Sequence, residues 1–147
     1  ARQVRALTDS LRSEDKRMKI IVMGDLNDDP MDESLAVLGA RKYPKEVKKR
    51  EFYNPWWETL EDMGVGTLVY RGKWNLFDQI IISDYFLNND DRQRLSYMSH
   101  KVLNFDFLRT KEGARKGYPL RTFASGAFLN GYSDHFPTQV LFVRKIK

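Results

Sequence analysis

Three groups of residues in this chain have the types and spacing for chemistry on a phosphate ester. Gly24-Asp25-Leu26-Asn27 follows the apolar run Ile20-Ile21-Val22-Met23, and Ser133-Asp134-His135 stands just ahead of Gln139-Val140-Leu141-Phe142-Val143. The third, Asp78, lies inside Phe77-Asp78-Gln79-Ile80-Ile81-Ile82. Cleaving such an ester takes a hard cation on the phosphoryl oxygens, a polarised water in line with the leaving group, and donors on the non-bridging oxygens. Asp134 suits Mg²⁺, which takes one or two carboxylates and keeps several waters. Asp25 can orient or deprotonate the water, and Asn27 and His135 can donate to the phosphate. Asp78 can hold the imidazole in one tautomer.

Each group also has a plainer reading. Gly, Asp, Asn and Pro form turns whatever else they do. The alternation of Asp25, Asn27 and Asp29 suggests a calcium loop, but Pro30 stands where that loop needs Gly and Ala36 where it needs a bidentate Glu. Gly131-Tyr132-Ser133-Asp134-His135 lacks the second Gly of a nucleophile elbow. The other histidine, His100, has no carboxylate motif around it and is expected to be solvated.

The elements that must position these groups can be read from periodicity. Val4, Leu7 and Leu11 predict an amphipathic first helix, and the β-branched run ending at Gly24 predicts a buried strand. Asp32 is a candidate N-cap for a short helix through Leu35 and Leu38, closed by Gly39. Residues 41–57 read as a long loop, and Trp56 to Met63 as a turn of helix. Thr67-Leu68-Val69-Tyr70 and the strand Leu76 to Ile82 are expected to form a hairpin through Arg71-Gly72-Lys73. In the second of these, Asp78, Ile80 and Ile82 share one face, so Asp78 is a carboxylate on an apolar face and needs a partner. A strand is expected over Lys101 to Leu108, a loop over Lys111 to Leu120, and a closing strand from Gln139. The order of elements predicts an α+β fold, one domain, with a mostly antiparallel sheet.

The bulk composition is that of an ordinary globular chain, with 147 residues, 41% hydrophobic and 31% charged. No cysteine is present, which excludes disulfides, thiolate zinc sites and cysteine nucleophiles. No apolar run approaches the ~20 residues needed to cross a bilayer. The net charge of +5 is compatible with a polyanionic partner but modest for a dedicated nucleic-acid binder. Much of it lies in Lys45 to Arg50 and in Arg144-Lys145-Ile146-Lys147, which read as a solvated loop and tail. The chain opens directly into a helical pattern without an initiator Met, as the middle of a longer polypeptide would, so any targeting segment is expected upstream.

Taken in order, GDLN after a strand, Trp74-Asn75-Leu76-Phe77-Asp78-Gln79-Ile80-Ile81-Ile82-Ser83, and Ser133-Asp134-His135-Phe136-Pro137 resemble the last three motifs of the endonuclease/exonuclease/phosphatase superfamily, the DNase I-like fold. The spacing fits as well, with Asp25 and Asp78 53 residues apart and Asp78 and His135 57 apart. The resemblance implies an α/β/β/α sandwich with the site across the open edge between the sheets. It implies that Asp25 and Asn27 position water and phosphate, and that His135 contacts the scissile phosphate and pairs with Asp78. Asp134 would assist Mg²⁺ or Mn²⁺, and Trp74 would either line the substrate cleft or fill the hairpin core. The superfamily's early Asn motif, metal-binding Glu and central Tyr or His motif are absent, so the chain is expected to be the C-terminal half of such a domain, with its N-terminal half as missing partner. The expected activity, for the full-length parent, is that of a phosphoesterase acting on a phosphodiester or phosphomonoester, nucleic acid included, and this chain alone is expected to be inactive. The rivals are a catalytically silent fragment and a nucleic-acid-binding module.

Overall fold

The computed structural model describes residues 1–87 and 95–144; of the basic tail, Lys145 to Lys147 lie outside them. The fold is α+β, with three α-helices, several short 3₁₀ turns and ten strands among the described residues. The largest sheet has four strands, in the order β1 (Ile21–Asp25), β6 (Asp78–Ser83), β3 (Phe52–Tyr53), β2 (Ala40–Arg41). All its pairings are antiparallel except β2 with β3. A second ladder joins β7 (Ser96–Val102) to β10 (Thr138–Val143), and two hairpins join β4 (Leu68–Tyr70) to β5 (Lys73–Asn75) and β8 (Phe123–Ala124) to β9 (Ala127–Phe128).

Alternation along β6 divides the core. Ile81 faces one way, packing with Leu35, Leu38, Ala40 and Phe52 under α2 (Glu33–Leu38). Ile80 and Ile82 face the other way, onto Val140 and Phe142 of β10. Trp56, at the start of α3 (Trp56–Glu61), fills that second side together with Leu76, Val102 and Phe136. Asp32 occupies the N-cap position of α2 and Gly39, at φ +86°, its left-handed close.

Several expectations are corrected. β1 is an edge strand, not a buried one: Ile21 and Met23 are exposed, Met23 by 67%. Residues 41–57 contain the end of β2 and all of β3, two-residue strands too short to show a period. The hairpin partner of β4 is β5, through a two-residue turn in which Arg71 (φ +49°) and Gly72 (φ +79°) both take positive φ, while β6 starts separately at Asp78. The strand expected at Lys101 to Leu108 lies earlier, as β7, and residues 106–108 form a 3₁₀ turn.

The first helix, α1 (Arg2–Glu14), forms as expected but packs through a different face. Thr8 and Arg12 are buried, whereas Val4 and Leu7 are exposed. Arg5 donates to the Leu38 carbonyl at 2.9 Å, and the Arg12 guanidinium lies over the Phe52 ring, 4.5 Å from its centre. Burial lowers the pKa of Arg12, opposed by Asp84 at 3.7 Å. His100 is likewise not solvated. It sits in β7, bonded to Thr59 Oγ1 at 2.8 Å and Tyr97 OH at 2.6 Å, with its ring edge-on to Trp56, and burial lowers its pKa.

Candidate active site

Register brings the first two acids together. In the β1–β6 ladder Asp25 lies directly opposite Asp78, at the end where both strands meet their loops. Directly opposed residues have Cβ atoms about 4.5–5.5 Å apart, and two like charges so placed repel. His135 enters from the loop ahead of β10, and its Nδ1 bonds Asp78 Oδ2 at 2.8 Å. The same carboxylate oxygen accepts the Thr67 hydroxyl at 2.5 Å. One carboxylate oxygen of Asp25, one of Asp78 and one ring nitrogen of His135 all lie within 4.8 Å of each other. Two carboxylates and an imidazole at that separation are a donor set that could hold a divalent cation.

The loop after β1 is shaped by its backbone. Gly24 has φ +150°, open to glycine alone, and Asn27 has φ +53°. The Asn27 amide donates to Asp25 Oδ1 at 3.0 Å, an Asx turn that fixes the carboxylate from its own chain. Leu26 N donates to the Phe77 carbonyl at 2.8 Å, tying the loop to the residue before Asp78.

Behind the acids runs a buried polar network. Asp29 accepts from Asn75 Nδ2 at 2.7 Å and from the backbone N–H of Leu76 at 2.8 Å. Gln79 donates to the carbonyls of Asp28 at 2.7 Å and Leu76 at 3.0 Å, and accepts from Asn54 Nδ2 at 2.7 Å. These bonds lock the GDLN turn onto the start of β6, so the two halves of the acid pair cannot drift apart. Thr67 plays a similar part for the histidine: its carbonyl accepts from Phe136 N at 2.7 Å, and its own N–H donates to Asn75 at 2.8 Å.

Of the residues singled out in the sequence, Asp25, Asp78 and His135 converge, and Asn27 joins them through its backbone. Asp134 is not in the group of three. Its side chain is half-exposed, with Arg121 Nη2 at 3.8 Å. Trp74 packs edge-on to Tyr118 and stacks on Phe136, the residue after His135. The sequence reading missed Thr67, Asp29, Asn54 and Gln79. Gln79 did carry a signal, a polar side chain on the other apolar face of β6, the same argument that singled out Asp78.

The profile of the endonuclease/exonuclease/phosphatase family matches residues 1–145. Neither the curated proteins nor the solved structures give a match. With the match spanning nearly the whole sequence, the chain belongs to the endonuclease/exonuclease/phosphatase family.

Proposed function

We propose that this chain carries the reacting centre of a metal-dependent phosphoesterase, formed by Asp25, Asn27, Asp78 and His135. The observation that carries the proposal is the direct opposition of Asp25 and Asp78, with His135 bonded to the second. Like-charged carboxylates in that register favour a cation beside them, and oxygen donors favour a hard one, Mg²⁺ or Mn²⁺. When bound, the ion supplies charge neutralisation on the phosphoryl oxygens and a more acidic water. Asp25, fixed by the Asn27 backbone amide, would orient the attacking water and accept its proton. The bond from Nδ1–H to Asp78 settles the ring orientation of His135, and with both ring nitrogens protonated Nε2–H is the donor to a non-bridging oxygen. The Asn27 side-chain amide is the second such donor. The metal seat is centred on Asp25, which lies with Asp78 and His135 in a group that Asp134 does not join.

The same reading treats the chain as part of a larger domain. Ile21 and Met23 are exposed on the face of β1 that also carries Asp25, an apolar surface that suits a further layer beside the site. The test is hydrolysis of bis(p-nitrophenyl) phosphate by the purified full-length parent protein in Mg²⁺ or Mn²⁺, before and after chelation, alongside His135→Ala. Loss of turnover on chelation and in the variant is expected. Equal rates with and without metal, or in His135→Ala, would overturn the assignment.

A further inference from the structure

A concave feature that the proposed chemistry does not use is lined by Asp134, the residue before His135. A cleft of about 230 Å³ opens between the β4–β5 turn and the loop leading to β8, lined by Arg71, Arg115, Arg121, Tyr118 and Asp134 among others. Three guanidinium groups therefore share one hollow with one lining carboxylate, Asp134. Like charges gathered at a concave surface focus the local field and attract an anion.

The positions of these arginines are built into the fold. Arg71 sits at the tip of the tight β4–β5 turn, its guanidinium 5.2 Å from the Tyr70 ring centre. Arg121 lies where the chain passes against the loop that carries the histidine. Tyr132 N bonds the Leu120 carbonyl at 2.9 Å, and the Thr122 hydroxyl bonds the Gly131 carbonyl at 3.1 Å. The approach is so close that a Cβ on Gly131 would run into the carbonyl oxygens of Leu120 and Arg121. Asp134, in the cleft, is the residue immediately before His135, so cleft and reacting centre are consecutive along one rigid loop.

We propose that this cleft binds a second phosphoryl group of the substrate, flanking the one held at Asp25, Asp78 and His135, so that the preferred substrates carry at least two phosphoryl groups. Guanidinium is the side chain best matched to phosphate, offering paired N–H donors in a planar fork. Arg121 has in Asp134 a carboxylate at only 3.8 Å, a loose contact that an incoming phosphate can replace. The inference rests on the phosphoesterase reading for the identity of the neighbouring site, but its test does not require turnover.

The experiment is metal-free binding, by calorimetry, of three probes to the purified protein: phenyl phosphate, fructose 1,6-bisphosphate and a short single-stranded oligothymidylate. At least one of the two multiply phosphorylated probes is expected to bind about tenfold or more tightly than phenyl phosphate. A preference for the oligonucleotide identifies a nucleic-acid strand as the source of the second phosphate, and a preference for the bisphosphate identifies a small molecule. Arg71→Gln and Arg121→Gln together should erase the preference, and Arg71→Gln alone, at an exposed turn where folding is not at risk, should weaken it. For the oligonucleotide each lost arginine should also lower the slope of log affinity against log salt by about 1. Lys111→Gln, outside the cleft, should keep the preference. No preference in the wild-type protein, or one unchanged in the double variant, would overturn the cleft. Absence of hydrolysis with the preference intact would overturn only the phosphoesterase reading.

Discussion

Replacing Asp29 with alanine should loosen the reacting centre from behind, without touching any residue assigned to chemistry. Asp29 is buried and accepts two hydrogen bonds, from Asn75 Nδ2 and from the backbone N–H of fully buried Leu76. A bond to a charged group contributes about 1.5–3 kcal/mol, and a buried donor left without a partner forfeits its hydration as well. Two such losses in one network give about 3–5 kcal/mol, a large share of a total stability of about 5–15 kcal/mol. At about 2–4 °C per kcal/mol for a chain of this size, the melting temperature should fall by about 6–20 °C. Asp29→Asn keeps one acceptor oxygen but turns a donor toward a donor, and should cost about half as much. Urea unfolding of the three proteins, with unchanged m values, is the assay. At temperatures where the alanine variant is still folded, its turnover should fall because the GDLN turn is no longer clamped to β6. An alanine variant within about 1 kcal/mol of wild type would refute the clamp.

Gly24→Ala should cost about 1–3 kcal/mol through backbone strain alone, since φ +150° is closed to L-residues while nothing lies within 4 Å of the added Cβ; thermal melts check this. His100 is held neutral by burial, with its folded pKa below its unfolded value. The unfolded chain therefore binds the extra proton first, so the stability it contributes is full above about pH 6.5 and lost as pH falls; His100→Gln should flatten the acid limb of a stability–pH curve. Saturating Mn²⁺ at about a hundred times its dissociation constant should stabilise the fold by about 2.7 kcal/mol, and that gain should vanish in Asp78→Asn, as differential scanning calorimetry would show.

The proposed reacting residues were legible because local signals mark positions that the structure brings together at Asp25, Asp78 and His135. A carboxylate on an apolar strand face and two polar words at strand ends are visible without any structure, and the register of β1 on β6 then places Asp25 opposite Asp78. What held them in place was less legible. Asp29 and Asn54 sit in stretches rich in turn-forming residues, so their long-range bonds across 46 and 25 positions left no local trace. β2 and β3 are two residues each, and pairing rather than propensity makes them strands. The first helix showed its apolar spacing but buries Thr8 and Arg12 instead of Val4 and Leu7, because Phe52 offers a ring face that a guanidinium can cover. His100 looked solvated for want of a carboxylate neighbour, yet a hydroxyl on each ring nitrogen satisfies it.

The central claim is that the carboxylate of Asp25, opposed to Asp78 and beside His135, takes part in the reaction. Asp25→Asn preserves size and the acceptor for the Asn27 amide while removing the charge. Steady-state turnover of a phosphodiester by this variant, in Mn²⁺ and with the folded state verified by circular dichroism, tests the claim directly. The account predicts a fall in kcat of about a hundredfold or more. Turnover at the wild-type rate would contradict it.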